Sequence, residues 1–447
     1  MADLGAFGWD LLSLLVLIGV MIMIHELGHF WAARHFDVKV EAFSLGFGPR
    51  LFGFKRGDTD YRVSAILFGG YVKMAGEQVT DENVDDPRSF LSKPRWQRLI
   101  IAFAGPFMNI VLAVCILTGM YMVKFEKVSD ADMEPIIGHV VADSPAAKAG
   151  IQDGDRIIKM DGQNNPTWED VLDKEFAGAK RPMYLTIKRG SSTFDTVVTP
   201  ILSESLGVGY AGWDARGQIE LGLIEPGYPA EKAGLKKGDI VLAINGQAIH
   251  SRLRFQEITK SSGGKPVTVE YQRKGETHSV AVTPIWSNKT NDPPARWMIG
   301  VVPEPKLDIT TTRLSLPDAL GESLRQNSKD AMLIVKVLEG MVQRRMSTKN
   351  LAGPIGLGSL SGAAAKQGLS AFLGLMAMVS LNLAIFNLLP IPVLDGGTIL
   401  MLLVEMTMQR DLSMAVKETV FKVGFVFIMV LMAFVIFNDI SRYIPAG

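Results

Sequence analysis

The sequence predicts a polytopic α-helical membrane protein that carries a large polar block made of two tandem copies of one small domain. Long uncharged stretches lie near both ends of the 447-residue chain, a charged block of about 240 residues separates them, and one segment of that block recurs 84 residues later. The formal net charge of zero gives no support for nucleic-acid binding. The single cysteine, Cys115, excludes an internal disulfide and a Cys-rich zinc site, and is interpreted as a packing residue.

Four apolar segments are long enough to cross a bilayer, which requires roughly 20 residues of helix. We expect spans at about 9–33, 98–123, 367–392 and 418–438, with Pro390 and Pro392 breaking the end of the third. The chain start contains acid and no base before the first apolar run, which argues against a cleaved signal peptide. The sequence therefore divides into core parts at 1–125 and 351–447, with the polar block between them.

The charges between the first two spans predict the orientation. Eleven Lys and Arg residues lie between residues 34 and 98, and basic loops face the cytoplasm. Four spans then place both termini and the polar block outside. The sequence His25-Glu-Leu-Gly-His29 lies toward the cytoplasmic end of span one.

The sequence HELGH carries the strongest chemical signal. On a helix, His25 and His29 lie on the same face and can bind one metal ion, while Glu26 can accept a proton from a metal-bound water. Such a metal lowers the pKa of its water enough for attack at neutral pH. Ionisable groups at membrane depth are costly and usually functional. The alternative is a polar cluster that only packs helices.

Two histidines leave a metal site one protein ligand short, and Asp395 is the best candidate for the third. It ends span three, where Pro390 and Pro392 should unwind the helix. Irregular backbone at membrane depth is tolerated where it lines a cavity. The alternative is a helix C-terminal turn at the membrane surface.

Several amide and glycine residues near these positions admit two interpretations. Asn387 and Asn382 could contact the backbone of a substrate, or join helices by hydrogen bonds. Gly105 and Asn109 in span two flank Pro106, which indicates either close packing near the site or a plain kink.

The polar block contains an internal repeat. Residues 144–163 and 228–247 are identical at nine of 20 positions, which predicts two tandem domains, at 126–203 and 204–305. The shared pattern AG-x-x-x-GD resembles the PDZ domain, which adds a peptide strand to a sheet edge. Residues 136–140 and 219–222 would then begin the edge strands. The two domains either bind extended peptide ends or act as a size filter.

Together these motifs resemble the site-2 protease family, and most closely its bacterial members with two PDZ domains. The resemblance implies a zinc endopeptidase of the bacterial inner membrane, which cuts single-span proteins such as a pre-trimmed anti-sigma factor, and also signal-peptide remnants. It implies that His25, His29 and Asp395 hold one Zn²⁺ and that Glu26 is the general base. Thr398 departs from the histidine that many relatives carry, but it lies after the ligand.

The resemblance also implies two further elements. Residues 60–76, with Gly69, Gly70 and Tyr71, resemble a re-entrant β-hairpin that meets the substrate. Residues 306–350 resemble an amphipathic helix on the membrane surface. The predicted fold is thus a four-span α-helical membrane protein with a re-entrant β-hairpin and two tandem α+β PDZ domains.

Two other functions are compatible with parts of the sequence. A catalytically inactive membrane adaptor would use the PDZ pair alone, and would lack stoichiometric zinc. A zinc transporter would also place His and acidic residues in the membrane, but the H-E-x-x-H spacing and the tandem repeats argue against it.

Overall fold

The computed structural model describes residues 4–77, 86–129, 133–203, 207–287, 296–347 and 353–443, and they form two compact units. Unit one comprises residues 1–125, 313–334 and 351–447, and unit two comprises 126–312 and 335–350. The helices are α1 (Leu4–His35), α2 (Arg95–Val123), α3 (Pro145–Lys148), α4 (Trp168–Ala177), α5 (Pro229–Lys232), α6 (Arg252–Ser261), α7 (Leu316–Val342), α8 (Pro354–Gln367), α9 (Leu369–Asn387), α10 (Asp395–Met408) and α11 (Met414–Tyr443).

The strands are short outside the first pair. They are β1 (Val40–Arg56), β2 (Thr59–Met74), β3 (Phe125–Val128), β4 (Ile137–Val140), β5 (Arg156–Met160), β6 (Gln163–Asn164), β7 (Met183–Arg189), β8 (Ser192–Val198), β9 (Ile201–Leu202), β10 (Gly209–Tyr210), β11 (Trp213–Ala215), β12 (Gln218–Ile224), β13 (Ile240–Ile244), β14 (Gln247–Ala248), β15 (Val267–Arg273), β16 (Glu276–Val282), β17 (Ile285–Ser287), β18 (Arg296–Met298), β19 (Val301–Lys306) and β20 (Ile309–Thr312).

Among the described residues of unit one, four helices are long and apolar enough to cross a membrane: α1, α2, α9 and α11. The helix predicted at 367–392 ends at Asn387, five residues early, because Pro390 and Pro392 lack the backbone N–H that a helix needs. The helix predicted at 418–438 is longer and begins at Met414. Buried Leu17 and Met21 of α1 pack against Met376 of α9.

The loop predicted as a β-hairpin at 60–76 is larger in the structure. Its partner strand β1 begins at Val40, and the two strands fold into a curled sheet of four segments, in the order 50–56, 59–66, 40–45, 70–74. The prediction covered only β2, because the glycines of β1 obscured its alternation. Segment 70–74, which we call the edge segment, is paired with residues 40–45, and no other strand of the described residues pairs with its second side.

Unit two contains two copies of the same small fold, as the internal repeat predicts. In each copy an arginine at the end of an internal strand pairs with a buried aspartate: Arg189 with Asp155, and Arg273 with Asp239, both at 2.7 Å. These pairs are 84 residues apart, the same offset as the sequence repeat.

Strand pairing crosses the border predicted between these two copies. Strand β11 lies beyond residue 203 and pairs with β4. Of the two strands predicted at the sheet edges, β12 is internal, since it lies between β13 and β19. Strand β4 pairs with β11, and Ile136, the residue before β4, forms a bridge with Arg156. Strands β11 and β19 each lie at a sheet edge, follow the repeated segment and share little sequence. The sequence repeat therefore did not indicate these two strands.

Helix α7 spans most of the segment predicted to be amphipathic. It runs from Leu316 to Val342, within the predicted range of 306–350. Leu316, Leu320 and Leu324 are exposed at helical spacing, which gives this part of the helix an apolar face.

Candidate active site

Three predicted ligands from two helices meet in unit one. His25 and His29 lie one turn apart on α1, and their Nε2 atoms are 3.2 Å apart. Asp395, the first residue of α10, places one carboxylate oxygen 3.1 Å from His25 Nε2 and the other 3.4 Å from His29 Nε2. All three side chains are buried or half-buried.

This donor set fits a tetrahedral metal ion. Donors that lie about 2.0–2.1 Å from a tetrahedral centre are roughly 3.3–3.4 Å from one another. The three observed separations span 3.1–3.4 Å. Two imidazoles and one carboxylate are a ligand set of catalytic zinc sites, which keep one position open for water or substrate.

The position of Asp395 differs from the one predicted. It was expected to end span three, but it begins the next helix, so its carboxylate lies in the first turn of α10. Pro390 and Pro392 lie in the connection between α9 and α10, where Val393 adopts a left-handed φ of 86°. The Cβ that Gly397 lacks would lie 2.7 Å from Pro392 Cα, so this glycine permits the tight connection.

The two histidines are held by groups on α2. His29 Nδ1 lies 2.8 Å from the carbonyl oxygen of Ile101, which fixes its proton on Nδ1 and leaves Nε2 free for a metal. Asn109 is fully buried and its amide lies 3.2 Å from His25 Nδ1. A Cβ on Gly105 would lie 2.8 Å from His25 Nε2. Gly105 and Asn109 therefore lie directly against the histidines, and their role in the site stays a prediction.

Glu26 lies between the histidines and the edge segment. It lines the same cavity as His25, His29 and Asp395, and the backbone of Val72 hydrogen-bonds to its carboxylate. A Cβ on Gly70 would lie 3.4 Å from Glu26 Cγ. The edge segment thus runs directly beside the predicted general base.

The remaining predicted contact residues divide into two groups. Tyr71 and Asn387 line the cavity, and Asn387 Nδ2 is 3.5 Å from His25 Nε2. Gly69 lies next to the edge segment at a φ of 140°. Asn382 is half-buried on α9 and does not line the cavity, because five residues of helix turn it about 140° from Asn387.

Sequence reasoning missed a charged wall of this cavity, which has a volume of about 700 Å³. Arg98 and Glu405 are both almost fully buried, and Lys417 Nζ lies 2.7 Å from Glu405. Glu405 lies on α10 and Lys417 on α11, with a turn between the two helices, so no local sequence motif indicated this pair. The single available signal was their position at the ends of apolar helices.

A helical membrane core with an H-E-x-x-H pair, a third carboxylate ligand and an adjacent glutamate defines a membrane metallopeptidase. The model of peptidase family M50 matches residues 13–431. The chain therefore belongs to this family, that of the site-2 proteases, which confirms the predicted resemblance.

Bacterial relatives match over almost their whole lengths. The regulator of sigma-E protease RseP of Escherichia coli is 31% identical, over 98% of this chain and 99% of its own. The regulator of sigma E protease of Haemophilus influenzae is 31% identical, over 98% and 100%. A Neisseria meningitidis protein named as a zinc metalloprotease is 32% identical, over 97% and 99%.

A similarity to a solved structure concerns a smaller part of the chain. The PDZ domain of an SdrC-like protein from Listeria monocytogenes is 20% identical and covers 20% of this chain and 87% of its own, with a TM-score of 0.17. So low a score carries no argument about the fold.

Proposed function

We propose that the protein is a zinc-dependent intramembrane endopeptidase that acts in regulated intramembrane proteolysis. The convergence of His25, His29 and Asp395 at 3.1–3.4 Å, with Glu26 beside them, carries this proposal. The cofactor is one Zn²⁺ per chain, held by these three side chains. Relatives named as zinc metalloproteases support the choice of metal.

Each residue of the site has a separate task. Zinc bound there supplies Lewis-acid activation of water and of a peptide carbonyl. Glu26 accepts the proton of the attacking water and delivers it to the leaving amine. Asn109 and the carbonyl of Ile101 orient the imidazoles of His25 and His29.

The edge segment is the proposed docking strand for the substrate. A transmembrane helix hides its carbonyls in internal hydrogen bonds, so it must unwind before hydrolysis. Addition as a strand beside segment 70–74 would supply replacement backbone hydrogen bonds and hold the scissile bond next to Glu26. Asn387 and Tyr71, on the cavity wall, are further candidates for contact with the substrate backbone.

The curled sheet is proposed to be re-entrant in the bilayer. Leu51, Phe52 and Phe54 are more than 60% exposed, which suits contact with lipid better than with water. The basic residues between α1 and α2 favour a cytoplasmic side for this sheet. The active site would then face the cytoplasm, with both termini and the two repeat domains in the periplasm of a bacterial inner membrane.

The substrates are proposed to be single-span membrane proteins, including an anti-sigma-factor-like protein trimmed outside the membrane, and signal-peptide remnants. Relatives named regulators of sigma-E protease support this class. An inactive adaptor is disfavoured because the metal ligands and the general base are all present and close together.

Cleavage of a single-span model substrate by purified protein in detergent tests the proposal. Wild type should cleave, while Glu26→Gln should lose cleavage and keep its zinc, since Glu26 is not among the three ligands. Glu276→Gln, at the exposed start of β16 in unit two, is the matched control and should cleave normally. Cleavage by Glu26→Gln, or cleavage that survives complete zinc removal, would contradict the mechanism.

A further inference from the structure

The two repeat domains differ at the place where a PDZ fold receives a chain end. A PDZ fold adds a peptide strand along a sheet edge, and backbone N–H groups can capture a terminal carboxylate. In this chain β11 and β19 each lie at a sheet edge, and each is preceded by a tight turn with a glycine at positive φ, Gly212 at 85° and Gly300 at 79°.

The backbone hydrogen bonds align these two turns. The N–H of Ala146 donates to the carbonyl of Ala211, and the N–H of Ala230 donates to that of Ile299, both at 2.9 Å. The amides of Ala211 and Ile299 therefore occupy equivalent positions at the start of the edge strand.

In the first copy, a carboxylate of the chain itself holds this amide. Glu175, on the last turn of α4, is 7% exposed. One of its oxygens accepts the N–H of Ala211 at 2.6 Å, and the other accepts the indole N–H of Trp213 at 2.8 Å. Glu175 thus makes the contacts that the terminal carboxylate of a bound peptide would make.

The turn also packs directly against the end of α4. A Cβ on Gly209 would lie 3.0 Å from the backbone nitrogen of Ala179, which follows the helix. The same end of the helix is covered by the chain that follows α7. Arg345 donates to the carbonyl of Ala177 at 3.1 Å, and the N–H of Ser347 donates to the carbonyl of Gly207 at 2.9 Å.

The second copy carries no acid at the corresponding place. Helices α4 and α6 align at the 84-residue offset, which pairs Glu175 with Thr259. The hydroxyl of Thr259 donates to the carbonyl of Phe255 within its own helix, at 2.9 Å. The turn at Ile299 thus receives no carboxylate from this position.

We propose that Glu175 is a built-in ligand that closes the first repeat domain, and that the second repeat domain alone receives the free carboxylate end of a peptide. The first copy then anchors the segment around Arg345 instead of binding a partner. This assignment concerns binding and does not depend on catalysis, so a failure of cleavage leaves it unaffected.

Hydrogen exchange on the full-length protein in detergent tests the proposal. The probe is a decapeptide that ends in leucine with a free carboxylate, and its C-terminally amidated form is the control. In wild type, the free peptide should slow exchange about tenfold at residues 297–302 and leave 208–214 unchanged. A peptide effect at 208–214 in wild type, or none at 297–302, would overturn the proposal.

Two substitutions, each of which places the residue of one copy at the equivalent position of the other, test both domains. Glu175→Thr should open the first copy, so that the peptide protects 208–214 as well. Thr259→Glu should close the second copy and remove protection at 297–302. If the peptide leaves 208–214 unprotected in Glu175→Thr while strand β7 keeps its wild-type protection, the built-in ligand is refuted.

One variant covers the case in which Glu175→Thr unfolds the domain. Glu175→Gln has nearly the same shape, but its amide group offers one acceptor oxygen for two donors. At pH 8, where the carboxyl group of Glu175 is ionised, exchange at 208–214 should therefore become several-fold faster without any peptide. Unchanged exchange there would also refute the proposal.

Discussion

At the residue scale, the orientation of one amide decides whether His25 can bind a metal. Nε2 must be unprotonated to bind, so Nδ1 must carry the proton and needs an acceptor. Asn109 lies 3.2 Å from Nδ1 through its nitrogen, while its oxygen has no partner in the part of the chain described. A half-turn of the amide exchanges these atoms and satisfies both groups, so metal binding should select that orientation.

Replacement of Asn109 by leucine should therefore weaken zinc binding by roughly 10–100-fold. Cleavage at limiting zinc should fall, and added zinc should restore part of it. Competition with a fluorescent chelator measures the affinity, with the exposed Asn164→Ala as control. Unchanged zinc affinity in Asn109→Leu would show that Asn109 does not orient His25.

The buried carboxyl group of Glu175 should make the stability of the first repeat domain depend on pH. Burial raises its pKa from 4.5 to about 7, although the hydrogen bonds from Ala211 and Trp213 oppose this. Between these values the folded domain holds a proton that the unfolded chain has lost. The free energy of unfolding of the first copy should therefore decrease as pH rises from about 4.5 to 7, by on the order of 3 kcal/mol.

Exchange rates of strand β7, corrected for intrinsic pH dependence, measure this change. Glu175→Gln cannot titrate, so its protection should vary much less across the same range. Protection that increases with pH in wild type would contradict the raised pKa.

At the element scale, the position of the edge segment depends on the absence of a side chain at Gly70. A Cβ on Gly70 would lie 2.9 Å from the carbonyl oxygen of Ser44 and 3.0 Å from Ile22 Cγ2. Gly70→Ala should push the segment away from Glu26. Because small misplacements are costly in catalysis, cleavage should fall by about tenfold or more with zinc retained.

The matched control for this variant is Gly19→Ala on α1. A Cβ there meets nothing within 4 Å, so the added methyl group should be tolerated. Equal cleavage by Gly70→Ala and wild type would argue against substrate docking along this segment.

A carboxylate joins the last helix to α8. Asp439 of α11 is fully buried and accepts the backbone N–H groups of Gly353, Ile355 and Gly356 at 2.9–3.1 Å. It thus caps the first turn of α8. Asp439→Ala should lower stability by about 1–2 kcal/mol, detected as a lower thermal midpoint in detergent, whereas Ser441→Ala should not.

These elements show which features the sequence could and could not predict. Helical periodicity and the H-E-x-x-H spacing placed His25, Glu26 and His29, because both depend on neighbours within one turn. The prolines indicated the break before Asp395. The four-segment sheet, the amide of Asn109 beside His25 and the bonds of Glu175 depend on contacts between distant segments, and no local pattern encodes them.

At the scale of the whole molecule, the two repeat domains contact each other through side chains that differ between the two copies. Asp214 of the first copy accepts the N–H of Leu253 at 3.1 Å, at the start of α6 in the second. His139 lies 3.0 Å from Glu257 of that helix, yet its position corresponds to Leu223 in the second copy. The contacts between the two copies, like the hydrogen bonds of Glu175, therefore depend on residues in which the copies differ.

We expect the bound metal ion to stabilise unit one and to leave the stability of unit two unchanged. It would join α1 to the start of α10 through Asp395, whereas each repeat domain has its own buried core. A ligand that binds only the folded state stabilises the part that it holds. Removal of zinc by a chelator, or by acid that protonates the histidines, should therefore speed exchange at residues 388–400 and leave strand β7 unchanged. Faster exchange in both places would mean that the metal stabilises the entire chain, and no change at 388–400 would argue against Asp395 as a ligand.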